Sequence, residues 1–398
     1  MQINVVSYAY AGTGTEASGG DKIFVEFAKR WARKSEVHIY TLEEGYKLCR
    51  KNGVEGVTYK VVRLDQKEFL FPILYTVKTI RGCIEALRVR SDSDNLAIYS
   101  SSDFWPDAIP AFIMKKMLKN AKWVAGFYLF APRPLRNQNE TGYRGGYAKL
   151  SLTNLIYYFS QQLIYRIMKR NADFIVVANE LDKRIFVKDG FPSDRIEPIY
   201  GGVDIGAIRR TPTPSDTKYD GCFVGRLHPQ KGPLELIRIW KLVCTAKPDA
   251  TLALVGEGPL ENEIRDEIGK SELSDNIFML GWVEGQKKYK VLKSSKVFLH
   301  TPVLDTGGMA AAEGMACGLP VVAFDLPGYL FSYPRGMIKV QNGDIKAFAN
   351  AVIELLRDQK LYDKISKEAL SFSLEWDWDS RALHVLNEIE LLFRAPHA

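Results

Sequence analysis

The chain has 398 residues, of which 46% are hydrophobic and 25% are charged, and its formal net charge is +7. This composition is typical of a globular protein with full cores, and the length predicts two domains of roughly 150–200 residues each. The five cysteines are scattered and form no CxxC pair, which indicates a reducing compartment and argues against a disulfide framework or a structural zinc site.

The first half of the chain alternates between apolar runs and amphipathic helix patterns, and it carries the positive charge. Residues 1–200 contain 30 Lys and Arg against 21 Asp and Glu, so an anionic partner is expected, with a solvated basic surface as the alternative. The helix patterns include Asp21 to Lys34 and Pro106 to Lys119. The strand-like runs are INVVSYAY, EVHIYTL, VTYKVVRL, NLAIYSS, KWVAGFYLF and DFIVVAN.

The second half repeats this alternation. Helix patterns cover Pro233 to Ala246, Leu260 to Lys270 and Ile345 to Asp358, and the apolar runs are DGCFVG, TLALVG, NIFML, KVFLHTP and LPVVAFD. Continuous apolar strands that alternate with helices form parallel sheets covered on both faces. We therefore predict an α/β fold of two doubly wound, Rossmann-like domains that face each other across a cleft. The predicted parts are residues 1–200, a polar linker at 201–218, residues 219–375, and a C-terminal helix at 376–398 that returns to the first domain.

The stretch from Asp305 to Pro320 reads DTGGMAAAEGMACGLP and follows the strand-like run KVFLHTP. A strand, a glycine turn and a helix start together make an anion site, because free N–H groups and the positive end of the helix dipole meet there. Asp305 lies in the turn, and Glu313 follows about two helical turns later on one face. This pattern suits a ligand that carries phosphate and hydroxyl groups, such as a nucleotide sugar. The alternative is a small-residue helix packed on a sheet with one charge at its cap.

Three further turns follow strands of the second domain. In GRLHPQKG, Arg226 and Lys231 lie on a glycine-bounded turn, where two cations suit a diphosphate; the alternative is a turn with ordinary surface charges. Gly256 opens a second backbone-exposing turn, GEGP. The third turn contains Trp282 and Val283, whose backbone groups are placed to contact a nucleobase edge.

These motifs resemble those of glycosyltransferase family 4 (glycosyl transferases group 1), which are retaining, nucleotide-sugar-dependent enzymes of the two-domain GT-B fold. The resemblance rests on GGVD (201–204), FVGRLHPQKG (223–232), LVGEGP (254–259), GWV (281–283) and the Asp–x7–Glu block through GMACGLPVVAFD (314–325). The motifs span nearly all of the second domain in the right order. The first domain matches mainly in its glycine loop and general layout.

The resemblance implies a role for each matching position. Arg226 and Lys231 would bind the donor diphosphate and stabilise negative charge as the sugar–phosphate bond breaks, and Asp305 would face the donor sugar. Glu313 would bind the ribose hydroxyls. Backbone groups near the sugar hydroxyls or phosphates would come from Gly307, Gly308, Met309, Gly19 and Gly20. The family implies transfer with retention, no metal and no cofactor, with a UDP- or GDP-sugar as co-substrate and a glycan or lipid-linked acceptor.

Two positions depart from the family pattern. Asp305 stands where the family usually has Glu, and the segment GFYLFAPRP (126–134) lacks the His that often follows a first-domain strand, with Tyr128 as the nearest polar substitute. These departures motivate an alternative, a catalytically inactive GT-B subunit that binds nucleotide sugar and scaffolds a partner enzyme. A sugar-nucleotide epimerase is a third option, for which no set of catalytic acids is visible. His300 is interpreted as a strand residue.

Several weaker signals are set aside. The Gly12-x-Gly14-x-x-Ala17 loop imitates a dinucleotide fingerprint, but the acidic residue expected about 20 positions further on is not well placed, since Glu43 and Glu44 come later. The pairs Asp92/Asp94 and Asp377/Asp379 are interpreted as a solvated turn and a helix cap. The loop at 131–147 is interpreted as an acceptor loop or a long surface loop.

Two segments, 67–90 and 157–170, mix basic and aromatic residues. They are interpreted as amphipathic helices, with docking on an anionic membrane surface as the sharper alternative; no nucleic-acid module accompanies them. The N-terminus has no basic lead, and the apolar stretch at 69–80 is shorter than the ~20 residues that cross a bilayer. A cytoplasmic protein is therefore expected, with a peripheral position on the inner face of the cell membrane as an extension.

Overall fold

The computed structural model describes residues 3–10, 19–64, 71–91, 93–131, 152–305 and 307–394. These residues form two compact units, each built on one parallel sheet. The first unit contains the described residues up to 131, residues 152–201 and the C-terminal segment from 378. The second unit contains residues 202–377. Two parallel-sheet α/β domains were predicted from the sequence, and this part of the prediction is confirmed.

The sheet of the first unit has the strand order β3-β2-β1-β4-β5-β6-β7, and all neighbouring strands pair in parallel. The central strands are buried along their whole length, which explains their continuous apolar sequences. The strands are β1 (Asn4–Ala9), β2 (Glu36–Leu42), β3 (Thr58–Val62), β4 (Leu96–Ser100), β5 (Lys122–Phe127), β6 (Phe174–Val177) and β7 (Ile196–Pro198). The helices between them are α1 (Gly19–Trp31), α2 (Glu43–Lys51), α3 (Phe71–Arg88), α4 (Trp105–Met117), α5 (Leu152–Asn171) and α6 (Glu180–Lys188).

The sheet of the second unit has the strand order β10-β9-β8-β11-β12-β13, again with parallel pairs. Its strands are β8 (Tyr219–Val224), β9 (Leu252–Val255), β10 (Ile277–Met279), β11 (Ser295–His300), β12 (Val321–Phe324) and β13 (Met337–Val340). Its helices are α7 (Ile205–Arg210), α8 (Pro233–Ala246), α9 (Glu261–Lys270), α10 (Gly285–Lys293), α11 (Met309–Ala316), α12 (Tyr329–Ser332), α13 (Ile345–Arg357) and α14 (Gln359–Ser373). Helix α8 packs tightly on the sheet, since a Cβ at Gly221 of β8 would lie 2.7 Å from the Trp240 ring.

The segment at 201–218, predicted as a linker, contains a helix. Asp204 caps α7 by accepting a hydrogen bond from the N–H of Ala207 at 2.8 Å, and Ile205 and Ile208 are buried. Almost all of the segment, from residue 202, therefore belongs to the second unit. Two short edge strands, β7 and β13, were not predicted from the sequence.

The C-terminal helix, α15 (Trp378–Arg394), belongs to the first unit, as the sequence predicted. It packs against α1, where the Trp31 Nε1–H donates to the carbonyl of Ala382 at 2.8 Å. Arg30 of α1 donates to Asp379 at 2.5 Å and also pairs with Glu26 on its own helix. Buried aromatic rings and a partly buried charge network thus fix the last helix to the first.

Candidate functional site

The second unit brings its two longest motifs together at one point of the sheet. Its strand order reverses between β8 and β11, and ligands of doubly wound sheets bind at the carboxyl ends of the strands beside such a reversal. The turn with Arg226 and Lys231 follows β8, and the turn with Asp305 follows β11. The fold therefore places the predicted cations and the predicted carboxylate at the same edge.

Lys231 and Asp305 are in direct contact. The Lys231 Nζ donates to the Asp305 Oδ2 at 2.8 Å, and only 13% of the Asp305 side chain is exposed. The turns are held together by the Thr301 hydroxyl, which donates to the carbonyls of Lys231 and Gly232 at 3.0 Å each. Gly232 has φ +62, and a Cβ there would lie 2.0 Å from the Thr301 carbonyl oxygen, so this close approach requires glycine.

Arg226, the second predicted cation, is exposed. Among the residues that the structure describes, it has no ion-pair partner. The positive charge of Lys231 is offset by Asp305, whereas that of Arg226 is not. The pair thus offers an incoming diphosphate one cation held in place and one uncompensated cation.

His300, at the end of β11, lies between Asp305 and the aromatic side chain of Tyr329. Its Nε2 lies 2.7 Å from the Tyr329 hydroxyl and 3.6 Å from the Asp305 Oδ2. Burial lowers the pKa of His300 to about 4, although the Asp305 carboxylate opposes this shift. Burial would raise the pKa of Asp305, but the Lys231 ammonium, His300 and the Gly308 N–H together outweigh it and hold the pKa well below its ordinary value. At neutral pH, therefore, Asp305 is ionised and His300 is neutral.

We expect His300 to make the fold sensitive to mild acid. The folded state resists protonation of His300 down to about pH 4, whereas the unfolded chain takes up a proton near pH 6.5. Stability from this group is therefore lost as the pH falls from about 6.5 towards 4, by about 2 kcal/mol between pH 7 and pH 5. Urea unfolding of the wild type and His300→Gln at the two pH values measures the difference. An unchanged pH dependence in the variant would contradict the expectation.

The start of α11 contains the backbone groups that the sequence singled out. The N–H groups of Gly307 and Gly308 approach the Asp305 Oδ1 at 3.4 Å each. Gly308 has φ +60, and the Tyr333 hydroxyl donates to the carbonyls of Gly307 and Gly308 at 2.8 and 2.7 Å. Met309 begins the helix, where the first N–H groups have no carbonyl partner inside the helix. The start of α11 therefore presents backbone N–H donors in fixed positions.

Glu313, two turns along α11, is engaged by a residue that the sequence analysis did not identify. The Lys288 Nζ, on α10, donates to both carboxylate oxygens of Glu313 at 2.7 and 2.6 Å. Both side chains are largely buried, with 18% and 13% exposed. Lys288 thus fixes the orientation of the carboxylate that was predicted to bind ribose hydroxyls.

The turn after β9 and the one after β10 lie side by side. Gly256 has φ +144, and a Cβ there would lie 1.9 Å from the Gly225 carbonyl oxygen, so the turns after β8 and β9 are in close contact. The N–H of Trp282 donates to Glu257 Oε1 at 3.2 Å, and the Trp282 ring is exposed. Val283 follows at the same edge. A flat exposed ring here is suited to stacking on a base.

In the first unit, Gly19 and Gly20 are the first residues of α1. The predicted fingerprint loop Gly12-x-Gly14-x-x-Ala17 lies outside the described residues, as does all but the first residue of the loop at 131–147. Tyr128, the nearest polar substitute for the missing His, is largely buried, and its hydroxyl lies 2.7 Å from that of Tyr99.

Two buried carboxylates near the carboxyl end of β4 were missed in the sequence. Asp107 accepts hydrogen bonds from the N–H of Tyr10 at 2.6 Å and from the Ser102 hydroxyl at 2.6 Å. Asp103 accepts one from Gln161 at 2.7 Å, and burial raises its pKa to about 6. Their sequence, SSSDFWPD, forms no motif that would have indicated them.

Within the described part of the chain, no group of three His, Cys, Asp or Glu residues is arranged to hold a metal ion. The arrangement of the second unit consists of cations, backbone donors and two oriented carboxylates. Such a set can bind a diphosphate and sugar hydroxyls directly.

The chain is similar to several known proteins. The family model "Glycosyl transferases group 1" matches residues 204–372. An uncharacterized glycosyltransferase of Methanocaldococcus jannaschii is 25% identical over 282 residues, which cover 67% of this chain and 64% of the relative, slightly less than two thirds of its length. The GDP-mannose-dependent monoacylated alpha-(1-6)-phosphatidylinositol monomannoside mannosyltransferase of Corynebacterium glutamicum is 29% identical over 180 residues, 42% of this chain and 45% of the relative.

The fold is similar to that of solved glycosyltransferase structures. The Anabaena protein HepE, solved in complex with UDP-glucose, aligns with a TM-score of 0.70 at 17% identity, over 98% of this chain and all of that one. At this identity the likeness supports the fold alone. Together with the matched family model, it agrees with the resemblance found in the sequence: residues 204–372 match the glycosyl transferases of group 1, and the chain has the GT-B fold.

Proposed function

We propose that this protein transfers a sugar from a UDP- or GDP-sugar to a glycan or lipid-linked acceptor, with retention of the anomeric configuration and without a metal ion. The observation that carries the proposal is the meeting of Lys231 and Asp305 at the strand reversal of the second unit, 2.8 Å apart. HepE was solved with UDP-glucose, and the Corynebacterium relative is GDP-mannose-dependent with a phosphatidylinositol mannoside as acceptor. These names support both donor classes and a lipid acceptor.

In this proposal, different residues of the chain bind different parts of the donor. Arg226 and Lys231 bind the diphosphate; the Lys231 ammonium has three N–H donors, so it can contact Asp305 and a phosphate oxygen together. Asp305 accepts a hydrogen bond from a sugar hydroxyl. Its side chain is one methylene shorter than that of Glu, so this contact is either direct or through a water molecule. Glu313 accepts from the ribose hydroxyls, and Trp282 and Val283 lie beside the base.

The proposed transfer step breaks one bond and forms one. The bond between the anomeric carbon and the phosphate oxygen breaks, and its electron pair stays with the leaving diphosphate. The acceptor hydroxyl oxygen bonds to the anomeric carbon on the same face, and its proton passes to the leaving phosphate oxygen. Arg226, Lys231 and the N–H groups at the start of α11 stabilise the charge that grows on the diphosphate.

Donor binding is the first test. We expect one nucleotide among UDP, GDP and ADP, with its sugar conjugates, to raise the melting temperature of the purified chain in the presence of EDTA, because a ligand of the native state stabilises it by mass action. Arg226→Ala is the matched variant, since its exposed side chain contributes little to the fold. No shift with any nucleotide would overturn the proposal.

Catalysis is tested separately. Donor binding that is followed by transfer to a glycan or lipid acceptor, or by slow hydrolysis of the donor sugar, supports the enzyme. Binding with neither reaction would favour the alternative, an inactive subunit that scaffolds a partner enzyme. The burial of Tyr128 and the substitution of Asp305 for Glu are the observations that favour this second reading.

A further inference from the structure

Helix α3 of the first unit has an outward row of large apolar side chains that the core does not use. Ile73, Ile80 and Leu87 are each about half exposed, and Ile80 is the most exposed, at 54%. They are seven residues apart, so they form one row along the helix at 3.6 residues per turn. The buried residues of α3 lie on the opposite face, and they are Tyr75, Lys78, Gly82 and Ala86.

The packing of α3 on α4 fixes this row on the outside. A Cβ at Gly82 would lie 2.6 Å from the Pro110 ring and 3.2 Å from the Pro106 carbonyl, so the two helix backbones are in close contact. The helix cannot rotate to bury Ile80 without losing this contact. An α3 that is apolar on both faces therefore has a second face available for a partner.

Helix α5 lies beside α3 and has exposed apolar side chains of its own. It contacts both α3 and α4, and the Tyr75 and Ser160 hydroxyls of α3 and α5 lie 3.5 Å apart. Phe159 is 65% exposed, and Leu163, one turn further along the same face, is nearly half exposed. We call Ile73, Ile80, Leu87, Phe159 and Leu163 the α3–α5 surface.

Exposed arginines lie beside this surface, and Asp189, an acid in contact with α5, pairs with Lys169 at 3.9 Å. Arg81 lies beside the row on α3, and Arg166 and Arg170 follow Phe159 and Leu163 on the outward face of α5; all three are exposed. Across the described ranges, none of these three arginines has an acidic partner. The sequence of α5 contains no Asp or Glu, and the only acid of α3, Glu85, pairs with Arg88 at 2.9 Å.

We propose that the α3–α5 surface docks this protein on an anionic lipid bilayer. Apolar rows with uncompensated arginines beside them match the interface of such a bilayer, where the rows enter the acyl boundary and the guanidinium groups lie among the phosphates. No helix in the described ranges is long and apolar enough to cross a membrane, so the contact lies along the surface. This proposal rests on the first unit alone and does not depend on the donor.

Vesicle flotation with the full chain tests the surface. We expect binding to phosphatidylcholine vesicles that contain about 30% phosphatidylglycerol, and at least about fivefold weaker binding to pure phosphatidylcholine or in 0.5 M NaCl. Arg81→Ala and Arg166→Ala are each expected to weaken binding about fivefold, from about 1 kcal/mol per basic residue. Absence of wild-type binding to the anionic vesicles would overturn the proposal.

The apolar rows are tested with a matched pair of variants. The double variant Ile80→Ser/Phe159→Ser is expected to lose vesicle binding with an unchanged melting temperature, because both side chains point outward. Leu330→Ser, on the second unit, is the control, since Leu330 is also 65% exposed; its binding is expected to equal that of the wild type. The proposal would be overturned if the double variant bound anionic vesicles as well as the wild type does. It would also be overturned if the double variant lost self-association and kept its lipid binding. Nucleotide binding in solution should be unchanged in every variant, which separates this proposal from the donor site.

Discussion

Lys231→Ala is expected to lower kcat/KM for sugar transfer by about 100- to 1,000-fold, the effect of removing one preorganised donor from a developing negative charge. The loss has two parts. The variant lacks a cation for the diphosphate, and it leaves the Asp305 carboxylate, which lies 2.8 Å from Lys231, without its partner beside the phosphates. Initial-rate kinetics with the nucleotide sugar identified by thermal shift measure this effect.

The double variant Lys231→Ala/Asp305→Asn separates these two parts. If the uncompensated carboxylate repels the donor, neutralising Asp305 should restore part of the donor affinity while kcat remains low. Arg226→Ala is expected to weaken donor binding without this rescue, because Arg226 has no ion-pair partner among the described residues. Full activity of Lys231→Ala would show that the diphosphate binds elsewhere.

Glu313→Gln is expected to raise the KM for the donor about 10- to 100-fold, because hydrogen bonds to a charged group contribute about 1.5–3 kcal/mol. The amide keeps the shape of the side chain, but one of its two polar atoms becomes a donor that faces the Lys288 ammonium instead of accepting from it. The preference for UDP or GDP over the 2′-deoxy nucleotide, measured by calorimetry, should fall with it.

Two controls define the meaning of that result. Glu261→Gln removes an exposed carboxylate that pairs with Arg265 at 2.8 Å in the same unit, and it should change neither KM nor the deoxyribose preference. Lys288→Met leaves the Glu313 carboxylate in place but removes its ion-pair partner. It should therefore reduce the preference over the 2′-deoxy nucleotide by less than Glu313→Gln does. An unchanged 2′-deoxy preference in Glu313→Gln would remove Glu313 from the ribose contact.

Most of the fold follows from the apolar periodicity of the sequence. The helix pattern from Pro233 to Ala246 coincides with α8, and the predicted strands lie where the structure has β1–β6 and β8–β12. The missed strands, β7 and β13, are three and four residues long, lie at sheet edges and contain Glu197, Pro198 or Lys339. A charged residue or a proline in so short a strand interrupts the continuous apolar run that identifies a buried strand.

The candidate site was predictable where backbone geometry restricts the residue type. Glycines at 232 and 308 mark positive φ, and the charged residues beside them were recognisable for that reason. Lys288 was not, because α10 also carries Lys287, Lys290 and Lys293, and only the packing of the helix decides which lysine meets a carboxylate 25 residues away. The buried Asp103 and Asp107 escaped for a similar reason, because Gln161 and the Tyr10 N–H, which donate to them, are distant in the sequence.

The position of α15 has a consequence for biosynthesis. The first unit includes α15, which follows the whole second unit in the sequence, so its residues are not complete until the second unit has been translated. Before that point, the face of α1 that carries Trp31 and Phe27 lacks the ring of Trp378, 6.4 Å from that of Phe27, and the Ala382 carbonyl that accepts from Trp31. The second unit, by contrast, has its full set of strands once residue 340 has emerged. The second unit can therefore fold during synthesis before the first unit has all of its residues.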